Sequence, residues 1–288
     1  MSREIAATTP ASDVETGEAV GSQRFGFGEN WRTFLRLLDE RHITKAEQSL
    51  ASMLGVDDLA GRTFVDVGSG SGLFSLAAAR LGAARIHSFD YDTESVACTA
   101  ALKQRFFASM DGWTIERGDI TDHAYCQTLG KFDVVYAWGV LHHTGAMWHA
   151  LANTCALVAP NGVLYVAIYN DAGPRSALWS RLKKAYNELP APLRIPYALL
   201  VSVPAQLRAS ALALYRRRFT EYLRSWFRPK ERGMSPWHDL IDWVGGYPYE
   251  YAKPEEVFGF CRERGFELTR MATKGRSIGC NEFVFSKR

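Results

Sequence analysis

Residues 64–72 of the chain read FVDVGSGSG, an apolar run that ends in an aspartate and three alternating glycines. Glycine adopts a positive φ without strain and lets a ligand approach the backbone closely. The free N–H groups at the start of a following helix then face such a ligand. The stretch therefore predicts a strand, a ligand-binding turn and a helix in direct succession.

The spacing of the glycines separates this turn from two phosphate-binding turns. A GxGxxG turn counted from Gly68 needs a glycine at position 73, which is Leu73. The GxxxxGK[ST] loop needs a lysine, and none is near. Asp66 precedes Gly68 by two residues, and a carboxylate there repels phosphate and attracts a cation. We therefore expect a nucleoside-like, positively charged ligand; a turn required only for packing is the alternative.

Strand-like and helix-like segments alternate after this turn begins. The strand-like runs are 63–68, 85–90, 113–119, 132–139 and 163–169, and the helix-like runs are 72–81, 93–107, 122–129 and 145–158. A helix at 254–265 and strands at 266–273 and 280–286 predict a terminal helix and hairpin. Strict alternation is typical of a parallel sheet with helices on both faces. The predicted fold class is α/β: a doubly wound, mostly parallel sheet with a terminal antiparallel hairpin.

The same pattern divides the chain into five parts, with a helical, aromatic-rich insertion after the fifth strand. They are a disordered tail at 1–24, a helical lid at 25–58, a ligand-binding core at 59–170, the insertion at 171–250, and a helix and hairpin completing the core at 251–288. The lid includes the stretch FGFGENW, in which Phe27 and Trp31 are candidates to close over the ligand. Trp31 as part of a helix core is the alternative.

Composition limits the classes of function. The 288 residues include 47% hydrophobic and 23% charged residues, as in a soluble globular protein, and a net charge of +3 is too weak to argue for nucleic acid. The five cysteines are scattered and form no CxxC, so we expect neither disulfides nor a zinc site. The same pattern predicts a cytoplasmic location. No metal motif is present. The apolar stretch 193–215 contains two prolines, and we expect a buried or interface helix pair rather than a membrane span.

The stretch FVDVGSGSGLFSLAAA resembles motif I of class I S-adenosylmethionine-dependent methyltransferases. The resemblance implies a Rossmann-like fold and S-adenosyl-L-methionine as cofactor, with the acid near its methionine end. SFDYD then resembles the strand end that holds the ribose, which implies Asp90 as the ribose-binding acid and Asp92 as the alternative. RGDI resembles the strand end that binds the adenine. The cofactor-binding residues implied are Asp66, Gly68, Ser69, Gly70, Gly72, Asp90, Tyr91, Asp119, Ile120 and Trp138.

The end of the fourth strand, AWGVLHH, indicates the branch of the class. It lacks the [DN]PP[YF] motif of enzymes that methylate base amino groups and the Pro-Cys of those that make 5-methylpyrimidines. VLHHT resembles the VLEHV of ubiquinone-type O-methyltransferases, which implies His143 as general base. His142 and Tyr247 are further catalytic candidates. A helix-capping or cofactor-orienting role for His143 is the alternative.

The insertion leaves the fifth strand at the edge where ligands bind in this fold class. Its aromatic residues suit an apolar acceptor pocket, or else the insertion's own core. The substrate-binding candidates are His238, Trp243, Tyr247, Tyr249 and Glu250. The run Arg216–Arg218 is interpreted as a solvated helix face or as a contact to acidic carriers, lipid headgroups or RNA.

These features predict transfer of a methyl group to an oxygen or nitrogen of a small-molecule acceptor, in bacterial secondary or surface-glycan metabolism. No nucleic-acid partner is expected, and the insertion is the candidate surface for a homodimer. The two alternatives are a methyltransferase acting on RNA or protein and a non-catalytic scaffold that binds the cofactor.

Overall fold

A computed structural model describes residues 28–225 and 236–288 of the protein. Its centre is a seven-stranded sheet with the order β3-β2-β1-β4-β5-β7-β6. The strands are β1 (Thr63–Val67), β2 (Arg85–Asp90), β3 (Trp113–Arg117), β4 (Phe132–Trp138), β5 (Val158–Tyr169), β6 (Phe266–Ala272) and β7 (Cys280–Lys287). β1 to β5 pair in parallel and β7 runs antiparallel between β5 and β6. The predicted fold class and terminal hairpin are confirmed.

Helices cover both faces of the sheet, which is why β1 is apolar rather than alternating. One face carries α1 (Gly28–Leu37), α2 (Glu40–Leu54), α3 (Leu73–Arg80) and α4 (Thr93–Phe106). The other carries α5 (His123–Thr128), α6 (Met147–Ala156) and α11 (Pro254–Arg262). Each face encloses its own apolar core, and Phe64 and Val65 of β1 face opposite cores.

The described region before β1 contains the two helices α1 and α2. α2 begins at Glu40, because the carboxylate of Asp39 accepts from the His42 N–H as an N-cap. It ends at Leu54, and Gly55 follows as the C-cap with a φ of 69°. The predicted tail at 1–24 and the candidate lid residue Phe27 lie outside the described residues.

The insertion after β5 folds as helices α7 (Pro174–Glu188), α8 (Ala191–Tyr215), α9 (Phe219–Ser225) and α10 (Pro236–Gly245). Their small core is centred on Tyr186, Ala198 and Val244, with Trp243 packed against it. The buried or interface helix pair expected at 193–215 is wrong in being a pair and in being buried, and a role at an interface stays a prediction. The segment is one continuous helix with Pro196 and Pro204 inside it, and most of its apolar side chains are exposed.

α8 also has the length and composition of a membrane-crossing helix, the single such helix found in 28–225 and 236–288. Only 12% of its most apolar 18-residue window is buried within the protein. Length and composition alone are weak evidence for a span. The expectation that no segment crosses a membrane stays a prediction.

Candidate active site

A cavity of about 500 Å³ lies at the carboxyl ends of the parallel strands, where ligands bind in doubly wound folds. The glycine turn after β1 and the ends of β2, β3 and β4 form one part of its wall. The end of β5, helix α10 and the β6–β7 hairpin form another. The cavity therefore joins the residues of the sheet core to those of the insertion.

Bare backbone forms the wall at the glycine turn. Gly68 and Gly70 line the cavity with φ of 68° and 54°, values that favour glycine. A Cβ added at Gly70 would lie 3.1 Å from the indole of Trp31, which also lines the cavity. Trp31 packs edge-on against Phe34 of the core, so it serves the helix core and the cavity wall together.

Asp90, at the tip of β2, fastens the turn to the sheet. One carboxylate oxygen accepts from the Gly70 N–H and the other from the Asp92 N–H, each at 2.9 Å. Burial raises the pKa of Asp90 to about 6, against the opposing effect of these N–H groups. Asp92 also lines the cavity but caps α4 by accepting from the Glu94 N–H. Asp90 is therefore the better placed of the two acids to meet a ligand diol beside the turn.

Asp66 lies beneath the turn, 2% exposed, rather than in the cavity wall. A chain of hydrogen bonds reaches its carboxylate: the Trp113 indole N–H donates to Ser88, Ser88 donates to Ser75, and Ser75 donates to Asp66 at 2.5 Å. Burial raises the pKa of Asp66 to about 7, and the charge of Asp90 acts in the same direction. The group is thus poised to ionise near neutral pH.

Beyond β3 the cavity wall is apolar with one acid. Ile120 and Phe89 line it, and both are buried. Asp119 lies beside them, held by the Thr121 N–H at 2.9 Å and the Thr121 hydroxyl at 2.7 Å. A slot with apolar walls and an anchored carboxylate suits a flat heteroaromatic ring with an exocyclic amino group. Tyr91 and Trp138 complete this part of the wall.

His143 lies at the other end of the cavity, in a 3₁₀ turn at Leu141–His143 after β4. Its Nδ1 is 2.7 Å from the carbonyl oxygen of Pro248. A carbonyl only accepts, so Nδ1 carries the proton of the neutral ring and Nε2 carries the lone pair. Burial, and then the charge of Lys183, lower the pKa of His143 to about 3. The ring is neutral at physiological pH.

His142, also in the lining, is fully buried. The Tyr169 N–H donates to its Nδ1 at 3.3 Å, and the rings of the two residues lie 3.9 Å apart between centroids. Burial first, then the neighbouring His143 and Lys183, hold the pKa of His142 well below its ordinary value. With Nδ1 accepting, His142 is fixed as a neutral structural partner of β5 beside His143.

Lys183 of α7 is a fully buried cation behind this wall. Its ammonium donates to the Trp243 carbonyl and lies 4.9 Å and 5.0 Å from the ring centroids of Trp243 and Tyr249. Such contacts to aromatic faces stabilise a desolvated cation. Lys183 thereby adds positive potential near both histidines. No sequence pattern marks a lysine as buried, and the sequence analysis missed it.

The cavity brings together most, but not all, of the sequence-predicted residues. Those in its lining are Gly68, Gly70, Asp90, Tyr91, Asp119, Ile120, Trp138, His142, His143, Trp243 and Tyr247. Asp66, Ser69, Gly72, Tyr249 and Glu250 lie outside it. The side chain of His238 is outside the described part of the chain.

The residues outside the lining have structural partners instead. Ser69 hydrogen-bonds the hydroxyl of Thr99 at 3.0 Å. The Met147 N–H donates to both oxygens of Glu250 at 3.1 Å, so Glu250 caps α6. Tyr249 is buried, and its ring centroid lies 4.7 Å from that of Tyr169. These contacts place the three side chains in the support of the site.

The lining residues that the sequence analysis missed include Tyr169, Lys274, Cys280 and Glu282. Tyr169 is the last residue of β5. The alternation of strands and helices places the end of β5 at the ligand edge, but it does not mark Tyr169 itself as a site residue. Cys280 and Glu282 reach the cavity through the antiparallel pairing of β7 with β5, which sets Ala167 opposite Glu282, and Lys274 lies in the connection between β6 and β7. That long-range register is not visible as a local pattern.

Known proteins with similar sequences include methyltransferases. Residues 65–164 match the family model described as a methyltransferase domain. The chain is 32% identical over 117 residues to a ubiquinone biosynthesis O-methyltransferase of Methylobacterium sp. (strain 4-46), covering 41% of this chain and 45% of that protein. It is 30% identical over 114 residues to a ribosomal protein L11 methyltransferase of Anoxybacillus flavithermus, covering 35% and 36%. The chain thus spans less than half the length of these curated relatives.

A solved structure shares the fold over most of both chains. Magnesium protoporphyrin IX methyltransferase from Synechocystis PCC 6803, with bound SAH, superposes with a TM-score of 0.53 at 15% identity, covering 90% of this chain and 94% of that one. Residues 65–164 are therefore a methyltransferase domain, and the fold around them is that of the class I S-adenosylmethionine-dependent methyltransferases.

The residues present fit S-adenosylmethionine, the cofactor of this class. Gly68 and Gly70 leave backbone at the wall because Val140 and Trp31 occupy the space that a Cβ would take. Asp90 offers a carboxylate for a ribose diol, and Asp119 with Ile120 offers the slot for adenine. In the ranges 28–225 and 236–288, no group of three or more His, Cys, Asp or Glu side chains could hold a metal ion. Metal independence stays a prediction.

Proposed function

We propose that the protein transfers the methyl group of S-adenosylmethionine to an oxygen, or alternatively a nitrogen, of a small-molecule acceptor. The observation that carries the proposal is the position of His143. Its lone-pair nitrogen belongs to a ring that lines the same cavity as Asp90 and Asp119. One cavity therefore contains a cofactor end and an end with a candidate proton acceptor.

The cofactor, when bound, supplies a methyl group already activated on a positively charged sulfur. The chain's own contribution is then chiefly to hold and orient the reactants. Asp90 binds the ribose hydroxyls as a charged acceptor, and Asp119 accepts from the adenine amino group. Trp31 and Trp138 close the wall against water beside the glycine turn.

At the acceptor end, His143 accepts the proton that an acceptor hydroxyl must lose. Its Nδ1 proton is committed to Pro248, so Nε2 is the nitrogen that receives it. A pKa of about 3 makes the ring a weak base. Proton removal therefore contributes less than positioning, and we expect the loss of His143 to slow the reaction rather than to abolish it.

Aromatic side chains form the acceptor end. Tyr169, Trp243 and Tyr247 line it beside His143. Aromatic walls with few polar groups favour a small, flat or apolar acceptor. The curated relative named as a ubiquinone biosynthesis O-methyltransferase supports an oxygen acceptor of this kind. The five free cysteines support the further proposal of a cytoplasmic location.

A protein acceptor is the second candidate, favoured by the match to a ribosomal protein L11 methyltransferase. The run Arg216–Arg218 gives little support to an RNA acceptor. These arginines follow α8 and are absent from the cavity lining. The two candidates are separated by where a labelled methyl group is found.

The test uses methyl-deuterated S-adenosylmethionine with a bacterial extract, separated into low-mass, protein and RNA fractions for mass spectrometry. The label should enter a low-mass product, and His143→Ala should lower its rate at least ten-fold. His149→Ala is the matched control, because His149 is exposed and does not line the cavity. Affinity for S-adenosylhomocysteine should be unchanged in both variants.

Three outcomes would contradict the proposal. Label in protein or RNA alone would establish a macromolecular acceptor. Tight cofactor binding without label in any fraction would indicate a binding scaffold. Equal rates for His143→Ala and His149→Ala would remove His143 from the proton transfer and leave positioning as the only contribution.

A further inference from the structure

Helix α8 presents an apolar face to the outside of the protein. Leu200, Val203, Leu207 and Leu214 are separated by three, four and seven residues, a spacing that places them on one face of a helix. Leu200 is 70% exposed and Leu207 is 65% exposed. Leu193, Ile195, Leu199 and Leu212 are exposed as well. Exposed apolar surface on a soluble protein, where it is large, marks a site that binds a partner or a membrane.

The opposite face of α8 is attached to the insertion. The Tyr197 hydroxyl donates to the Leu182 carbonyl at 3.1 Å, and Ala198 is fully buried. Further along, the Tyr222 hydroxyl donates to Gln206 at 3.0 Å. α8 therefore has a protein side and an outer side. This arrangement suits a helix that lies on a surface better than one surrounded by lipid.

Positive charge follows the apolar face. The helix at 191–215 contains no Asp or Glu, and Arg216, Arg217 and Arg218 come directly after it, all exposed. Arg218 pairs with Glu221 at 2.6 Å. For Arg216 and Arg217, no carboxylate partner is found in the described ranges. Two cations without a local carboxylate thus stand at the end of an exposed apolar stripe.

We propose that α8 binds the surface of an anionic membrane, with its leucines in the acyl boundary and Arg216 and Arg217 on the lipid phosphates. Apolar area together with basic residues is what holds a helix in a membrane interface. A second copy of the chain is the less favoured occupant. It would offer the same face, which contains no carboxylate to meet the arginines.

This placement connects the membrane to the cavity. α8 packs against α10, and α10 supplies Trp243 to the cavity wall. The protein would therefore work one helix away from the lipid surface. The proposal does not depend on the acceptor, because the surface lies outside the cavity.

Vesicle flotation of the full chain tests the proposal, comparing vesicles of pure phosphatidylcholine with vesicles of equal parts phosphatidylcholine and phosphatidylglycerol. The wild type should float with the anionic vesicles. Leu200→Gln/Leu207→Gln should lower the bound fraction at least ten-fold. Arg216→Gln/Arg217→Gln should reduce binding to anionic vesicles to the level seen with neutral ones, as should about 0.5 M salt for the wild type.

Met271→Gln/Leu37→Gln is the control, because both side chains are exposed apolar residues on other elements. It should float like the wild type, and all variants should keep the wild-type affinity for S-adenosylhomocysteine as evidence of folding. Wild-type protein that floats with neither vesicle would overturn the proposal. Sedimentation showing a dimer that only Leu200→Gln/Leu207→Gln dissociates, without flotation, would assign the face to a second copy.

Discussion

Asp66 is the residue at which burial and charge conflict most directly. Its carboxyl has a pKa raised from 3.8 to about 7, chiefly by burial, while Ser75 donates to it. Between these two values the folded protein binds more protons than the unfolded chain. Stability therefore falls as pH rises through this window, because ionisation within the fold becomes necessary.

Asp66→Asn should remove that pH dependence. The difference in free energy of unfolding, variant minus wild type, should increase by about 1 kcal/mol or more between about pH 4 and pH 7. One pKa unit corresponds to about 1.4 kcal/mol. Urea unfolding at several pH values measures the difference. Any constant cost of the buried amide cancels in this comparison.

Asp133→Asn is the control of opposite sign. The Thr63 N–H and hydroxyl donate to Asp133 at 2.8 Å and lower the pKa of its carboxyl. The wild-type residue therefore stabilises the fold above its unfolded pKa, and this contribution is lost as pH falls. A parallel pH dependence in the two variants would show that Asp66 is ionised and satisfied in the fold.

At the scale of elements, the glycine turn is also where two helices meet. Gly72 precedes α3 with φ of 78°, and a Cβ there would lie 2.8 Å from the Cα of Thr99 in α4. Backbone cannot move aside as a side chain can. The turn thus positions α3 against α4 as well as exposing backbone to the cofactor.

Gly72→Ala should lower the free energy of unfolding by at least about 2 kcal/mol, from the strained φ and from forcing the helices apart. Gly130→Ala is the matched control. Its φ is 79°, and no atom lies within 4 Å of an added Cβ. The free energy of unfolding of this variant should fall only by the cost of the strained φ, about 1–2 kcal/mol. Equal losses in urea unfolding would mean that the α3–α4 contact is unimportant.

The sequence predicts those elements that repeat a local pattern. The strand and helix bounds agree within a few residues from β1 to β4, because alternation of buried runs with caps and glycines decides them. At 193–215 the prolines suggested a break. Their missing N–H groups interrupt hydrogen bonds without ending a helix whose other face is packed by Tyr197 and Ala198.

At the scale of the whole molecule, the site depends on contacts that no local pattern predicts. The cofactor half follows from strand ends in chain order, and the motifs at Asp90 and Asp119 locate it. The acceptor half depends on the packing of the insertion and the pairing of β7 with β5. Glu282 enters the lining, and Lys183 comes to lie behind the wall, only through that assembly.

The central claim is that one cavity has a cofactor end at Asp90 and an acceptor end at Trp243. Calorimetry with S-adenosylhomocysteine on the wild type, Asp90→Ala and Trp243→Ala tests it most directly. Asp90→Ala should weaken binding by about 2 kcal/mol, as expected for hydrogen bonds to a charged group, and Trp243→Ala should leave it nearly unchanged with native circular dichroism. Equal weakening by both variants, or wild-type binding of NAD in place of S-adenosylhomocysteine, would contradict the account.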